Sequence, residues 1–409
     1  MDSRRLTDDY PTARLPDYQT TRPPDYPTIQ LPLPSIALLP HVHGVGGMVS
    51  FRHRFAAGLT RRGYRVAASL DEPDVISALV IGGTRDLPAL WRARRRGVRI
   101  VQRLNGMNWL HRKRPLGLRH SLRAEYGNWL LNTIRTRLAD HIVYQSEFSR
   151  RWWERVYGPA PVPSSVVYNA VDLDVYRPGI REQGTGIRDW GLGPNPQSLI
   201  PNPQSPIPNP ATPNPLTPNP QPHFRLLLVE GSLAGGYETG LETAVQVTRR
   251  LNTRHRIALG RPVELFVVGR VSETLRAAYS GLPDVPLVWG GLVPGERIPE
   301  IDRSAHVLYS ADINAACPNA VIEALACGLP AVAFDTGALS ELVTGDAGRV
   351  VPYGGDPWNL DPPDIPALAA AIVEILQDQP RFRSAARARA ESAFGLERMV
   401  DGYLEALEV

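Results

Sequence analysis

From residue 35 onward, short apolar runs alternate with stretches whose apolar residues recur every three or four positions. The first pattern reads as buried β-strand and the second as helix with one face covered. In the first half, strands are expected at 35–40, 64–70, 76–82, 99–104, 141–146 and 165–169, with helices such as 48–62 and 117–139 between them. In the second half they are expected at 224–230, 263–268, 285–289, 306–310 and 330–334, separated by helices near 238–251, 296–303, 318–327 and 366–377. Strands this uniformly apolar, each followed by a helix, belong in parallel sheets covered on both faces. Two such βαβ series give an α/β protein of two Rossmann-like domains. Ligands of such sheets bind at the carboxyl ends of the strands, which here means a cleft between the two halves.

Two segments break the pattern. Residues 1–34 repeat an Asp-Tyr-Pro theme and cannot form an apolar face, so a disordered tail is expected. Residues 179–222 include 194–222, where Asn-Pro recurs with Ser and Thr spacers. Proline withholds backbone donors and restricts its neighbour, so this reads as an extended or disordered linker. The chain has 40 prolines in 409 residues, and 19 of them fall in 1–34 and 194–222, so the remainder is an ordinary globular body. Its length suits two domains, 35–178 and 223–409. Excising 194–222 should leave a foldable protein, because loop-closure entropy grows only slowly with length.

Charge divides along the same line. Residues 35–178 carry a net +13 and residues 223–409 a net −8. A basic half suits an anionic partner, and nucleic acid, anionic lipid or a phosphorylated acceptor would all fit. No nucleic-acid-binding module is visible, which disfavours the first. Arginines cluster at 92–99 and 112–123 with Trp109 and Trp129 close by, an arrangement suited to an anionic membrane surface. The start of the chain lacks an apolar secretion signal, no run of about 18 uncharged apolar residues occurs, and only Cys317 and Cys327 are present. These features point to a cytoplasmic protein without a disulfide framework.

The sharpest local signal is Cys317-Pro318-Asn319-Ala320-Val321-Ile322-Glu323-Ala324-Leu325-Ala326-Cys327-Gly328-Leu329-Pro330. Pro318 suits a helix start, and Gly328 with Pro330 stops the helix. The free N–H groups of Asn319 and Ala320, just after Pro318, would attract an anion, and Glu323 could accept two hydrogen bonds from a vicinal diol. Gly44-Val45-Gly46-Gly47 follows the first strand and precedes a helix, so the backbone there can approach a phosphate closely. Tyr168-Asn169-Ala170-Val171-Asp172 through Arg177-Pro178 closes the first half, and Gly337-Ala338-Leu339-Ser340-Glu341 follows a late strand.

Taken in order, these features resemble the retaining glycosyltransferases of family 4, with GT-B fold. The likeness spans about 35–178 and 223–407. Asn169–Pro178, Glu323–Pro330 and Gly337–Glu341 match the family's N-G-V-D…F-x-P, E-A-x-A-x-G-x-P and G-G-x-x-E patterns. The resemblance implies a nucleotide-sugar donor, a glycan or lipid-linked sugar as acceptor, and no metal or further cofactor. It assigns Glu323 to the ribose hydroxyls, and Cys317, Asn319 and Ala320 to the distal phosphate or sugar. Gly46 and Gly47 fall to the donor phosphate, and Gly290–Val293, with Gly291 and Leu292, to the base.

The departures from the pattern are as informative. Ala315 stands where the family has the first Glu of E-x7-E. Ser232 and Thr239 replace the Arg and Lys that would stabilise the diphosphate, and Asn105 replaces a histidine. A divergent branch of the family with C-P-N before the second Glu would account for several of these together. Arg103 and Arg270, both near the carboxyl ends of strands, are the candidates to replace the lost cations. Two rival readings remain, a sugar-nucleotide epimerase of the same fold and a non-catalytic protein that binds nucleotide sugars.

Overall fold

Two six-stranded parallel sheets carry the chain, as the alternation predicts. The structure, a computed structural model, describes residues 34–41, 44, 46–114, 117–179, 223–233 and 238–409. Apart from Pro34 and Gly179, the expected tail and linker therefore lie outside the described residues.

The first sheet contains β1 (Ser35–Leu39), β2 (Arg65–Ala67), β3 (Val75–Ile81), β4 (Arg99–Leu104), β5 (His141–Tyr144) and β6 (Ser164–Val166). Their spatial order is β2-β1-β3-β4-β5-β6. The second contains β7 (Phe224–Ser232), β8 (Val263–Arg270), β9 (Leu287–Gly291), β10 (Val307–Tyr309), β11 (Ala331–Phe334) and β12 (Gly348–Val351). Their order is β12-β11-β10-β7-β8-β9. In each sheet the chain starts centrally, builds to one side and crosses to the other. The crossings fall between β1 and β3 and between β7 and β10, and such switch points are where doubly wound sheets bind ligands.

Helices cover both faces of each sheet. Leu79 and Ile81 of β3 pack with Phe51, Phe55 and Leu59 of the helix Gly47–Arg61, while Ala78 and Val80 pack on the opposite side with Leu90 and Ile134. Both faces are largely apolar because both are covered, which explains why β3 reads as an apolar run broken only by Ser77.

Strand β12, absent from the expectation, is short and begins at Gly348, whose added Cβ would lie 1.9 Å from the Ala331 carbonyl oxygen. Close backbone approach, not side-chain pattern, defines that edge. The last helix, Leu396–Leu407, also departs from the expected assignment to the second half. Its apolar residues Met399, Val400, Tyr403 and Leu407 pack on the first sheet with Phe51 and Phe55. The Tyr403 ring lies 5.1 and 5.2 Å from those two rings, and Ser77 Oγ donates to the Leu407 carbonyl at 2.9 Å. Burying each of these large side chains contributes about 2 kcal/mol, so the chain's end is an integral part of the first domain.

The chain crosses between the domains twice, and the crossings pair with each other. Val171 N donates to Phe394 O at 3.0 Å and Leu396 N to Val171 O at 3.1 Å. Arg387 pins the same junction through bonds to the carbonyls of Tyr176 at 2.7 Å and Ala326 at 2.8 Å.

Candidate active site

A cleft of about 830 Å³ opens at the two switch points and is lined by both domains. The first domain supplies the turn after β1, the start of the Gly47–Arg61 helix, and Arg103 and Asn105 at the end of β4. The second supplies the ends of β7 and β8, the loop after β9, and the start of the helix Asn319–Ala326.

Two helix N-termini meet across this cleft. A Cβ placed on Gly47 would stand 3.5 Å from Asn319 Nδ2. Neither helix start is capped by a side chain, because Gly46 has none and Pro318 offers no acceptor. Other helices here are capped in the ordinary way, as by Asp86, Ser146 and Asp364. The orphan N–H groups of both termini are thus left for a ligand, with two helix dipoles adding positive potential at one place. Gly46 sits at φ 136°, a conformation open to glycine and strained for other residues, which turns the chain sharply into the helix.

Arg103 lies beneath this point and is 1% exposed. Its guanidinium donates to Asn105 Oδ1 at 2.9 Å and Asn169 Oδ1 at 2.7 Å, and lies 3.9 Å from the Phe51 ring centroid. Its Nε is buried without a hydrogen-bond partner. Its polar neighbours are neutral amides, the Tyr403 hydroxyl and the Cys317 thiol, and burial lowers its pKa. A buried cation without a carboxylate is costly unless an anion arrives to pair with it. Asn105 receives on Oδ1 from both Arg103 and Gln145. Its carbonyl oxygen accepts from Trp153 Nε1 at 2.7 Å. With its oxygens engaged, Asn105 has its NH₂ left to offer the cleft.

Glu323 lies further along the Asn319–Ala326 helix and is 9% exposed. Burial raises its pKa, and Arg54 opposes that rise through an ion pair at 2.5 Å. Cys317 is buried at the helix entrance, its thiol pushed up to about 12 mainly by burial, and it accepts from Asn169 N at 3.4 Å. It is a packing and hydrogen-bonding residue here, not a thiolate.

Of the residues singled out from sequence, Gly46, Gly47, Arg103, Asn105, Leu292, Cys317, Asn319, Ala320 and Glu323 all line the cleft. Ser232, Gly291 and Arg270 do not. Ser232 and Arg270 are exposed at the paired ends of β7 and β8, so of the two candidate replacement cations only Arg103 reaches the site. Gly291 ends β9 and turns the chain at φ 67°, which delivers Leu292 and Val293 to the cleft wall. Thr239 accepts a bond from Arg114 of the first domain, and neither residue lines the cleft.

Sequence reasoning missed Arg54, His53, Glu230 and Asp312, all of which line the cleft. Arg54 and His53 follow the glycine turn by about two helical turns, a spacing that returns them to the same side as Gly46 and Gly47. Glu230 lies near the end of β7 and Asp312 three residues beyond β10, and neither gave a motif. Burial raises both carboxyls, and Asp312 raises Glu230 further by like-charge repulsion. Among the described residues, no group of three or more His, Cys, Asp or Glu is placed to hold a metal ion.

Comparison with known proteins agrees with this fold. Residues 34–175 match the family described as Glycosyltransferase Family 4, and residues 225–378 match Glycosyl transferases group 1. No curated protein sequence is a significant match. Among solved structures, sucrose-phosphate synthase from Thermosynechococcus elongatus is similar at a TM-score of 0.61 and 14% identity, over 91% of this chain and 98% of that one. Anabaena Alr3699/HepE, solved in complex with UDP and glucose, gives 0.58 and 15% over 91% and 99%. WaaG, a glycosyltransferase involved in lipopolysaccharide biosynthesis, gives 0.59 and 12% over 91% and 99%. The chain is therefore a glycosyltransferase of GT-B fold, with a family 4 domain in its first half and a group 1 domain in its second.

Proposed function

We propose that the protein transfers a sugar from a nucleoside-diphosphate sugar to a hydroxyl acceptor with retention of anomeric configuration. The observation that carries this reading is the convergence of Gly47 and Asn319, two uncapped helix starts, above the buried charge of Arg103. That arrangement suits a diphosphate, with the nucleoside reaching back to Glu323 and to the loop at Leu292. One protein of similar fold, Anabaena Alr3699/HepE, has been solved with UDP and glucose and with UDP-glucose, which supports a donor of this class.

In this reading the bond from the anomeric carbon to the phosphate oxygen breaks as charge builds on the leaving diphosphate. The helix starts and Arg103 stabilise that charge, and donors fixed in this way typically contribute 10²–10³-fold in rate, an order-of-magnitude figure. The acceptor hydroxyl attacks from the same face, and its proton passes to the departing phosphate oxygen. The Asn105 NH₂ helps to orient the donor sugar. Glu230 and Asp312 hold protons to higher pH than ordinary carboxyls, so they suit hydrogen bonding to sugar hydroxyls better than nucleophilic attack.

The acceptor is a glycan or lipid-linked sugar bound against the first domain, at an anionic membrane surface. On the helix Leu118–Arg137, Leu118, Leu122, Tyr126 and Trp129 are exposed along one side, with Arg119 and Arg123 beside them. No helix among the described residues is long and apolar enough to cross a membrane, so this contact would be peripheral. Calorimetry with UDP, GDP and ADP, followed by turnover of the matching α-linked nucleotide sugars, tests the whole reading. Nucleotide binding and an α-linked product are expected. A β-linked product would overturn retention, and absence of binding by any nucleotide would overturn the donor class.

A further inference from the structure

Arg54 belongs to the first-domain helix Gly47–Arg61, yet its guanidinium ties three separate parts of the molecule together. Nη1 donates to the Ala170 carbonyl at 3.1 Å. Nη2 donates to the Tyr176 hydroxyl at 3.2 Å and to Glu323 Oε1 at 2.5 Å. The side chains of Arg54 and Glu323 are only 17% and 11% exposed, so water screens their attraction weakly. The Glu323 carboxylate makes no other hydrogen bond among the described residues and lines the cleft, so Oε2 remains for a ligand. Of the groups that face Glu323, Tyr176, Asp302 and Cys327 supply no positive charge, and Arg54 does.

We propose that Arg54 is a positioning residue for the donor: by holding Glu323 Oε1 it aims Oε2 at the donor's vicinal diol, and it does so only when the two domains are closed on each other. This rests on the reading of Glu323 as the diol-binding group. The same guanidinium grips Ala170 and Tyr176 at the junction, so closure and completion of the diol site are one event. An unpaired, buried Glu323 would take up a proton and lose acceptor strength, and it would be free to rotate away. Arg54 touches no reacting atom in this scheme.

The test compares binding of a nucleoside diphosphate with its 2′,3′-dideoxy counterpart by calorimetry, using whichever of UDP, GDP and ADP binds most tightly. The intact protein should prefer the diol form by roughly 50-fold, as expected for hydrogen bonds to a charged partner. In Arg54→Met that preference should collapse below roughly fivefold, with the dideoxy form bound almost as before. If Arg54→Met weakened both forms by one factor and kept the preference, Arg54 would serve general packing and the proposal would fall. Should Arg54→Met not fold, Arg54→Lys, which keeps charge but not the forked geometry, should show an intermediate preference, and an undiminished one would be equally fatal. An intact protein that binds nucleotide without preferring the diol would instead refute the role of Glu323.

Discussion

The carboxylate of Glu341 caps a helix that belongs to the other domain: Oε2 accepts from Glu147 N at 2.8 Å, and Oε1 from Phe148 N at 2.5 Å. Arg151 and Tyr168 reach the same carboxylate. The Tyr168 hydroxyl is pushed up to about 12 by burial and by this negative neighbour. The Glu of Gly337–Glu341 thus fastens the two domains together. Glu341→Ala should weaken their docking by about 2 kcal/mol. The expected result is a lower Tm and a larger radius of gyration in solution, with Glu341→Gln retaining part of the effect.

A second fastening is aromatic. Trp358 of the second domain lies 5.1 Å from the Trp109 ring, 4.9 Å from Trp152 and 6.2 Å from Phe148, all of the first domain. Edge and offset contacts of this kind add about 1 kcal/mol each beyond the area they bury. Trp358→Ala should therefore shift the molecule toward an open cleft, raising the donor KM several-fold while the Tm of each domain's core changes little. Opening should also be visible as a change in tryptophan fluorescence.

Arg103 gives a prediction about ligand-linked stability. Saturating nucleotide at 100 times its Kd should stabilise the intact protein by about 2.7 kcal/mol. Arg103→Met removes the buried cation, so the nucleotide-induced rise in Tm should largely disappear and turnover should fall by about 100-fold. A variant that still gained the full rise would place the diphosphate elsewhere.

Gly337 has φ 61°, and a Cβ there would lie 2.4 Å from the Ala315 carbonyl oxygen. Gly337→Ala combines left-handed strain of about 1 kcal/mol with a backbone clash. Thermal unfolding should show a total loss above about 2 kcal/mol. The loop carrying Ala315–Pro318 should shift as well, so donor affinity should fall with stability. An added side chain at Gly345, where φ is 57° and the space is open, should cost only the backbone strain.

Donor affinity should depend on pH through Glu323. Burial raises its pKa and Arg54 holds it down, so protonation sets in at higher pH than for an exposed glutamate. Affinity should fall as pH falls through that raised value, and Glu323→Gln should bind weakly without the acid limb. The stability linkage has the opposite sense. The folded protein holds this proton more tightly than the unfolded chain does, so ionising Glu323 costs stability as pH rises. Titrations of donor binding and of Tm should therefore slope in opposite directions for this residue.

Much of the fold can be read from local pattern because each strand and helix carries its own period. The largely apolar runs read at 76–82 and 263–268 and the helix starts at Gly46–Gly47 and Pro318–Asn319 are all visible in short windows of sequence. So is Glu323, through its fixed offset from Pro318 and Gly328. Short β12 was not, since a Gly-led edge strand has little apolar pattern to show. The final helix shows its amphipathic face, but a face does not name its partner, and the structure gives it to the first sheet.

The sequence by itself determined the alternating elements, the helix ends and the residue types at the mouth of the cleft, because these depend on steric and hydrogen-bonding preferences over a few neighbouring residues. Only the tertiary structure decided that Arg54 pairs with Glu323, 269 positions away, and that Glu341 caps Glu147 across 194. It likewise decided that Arg103 is buried at the cleft floor while Arg270 is exposed outside it. Both are arginines near the ends of apolar strands and are locally alike. What separates them is which elements pack over each strand end, and that is settled by contacts between residues remote in the chain.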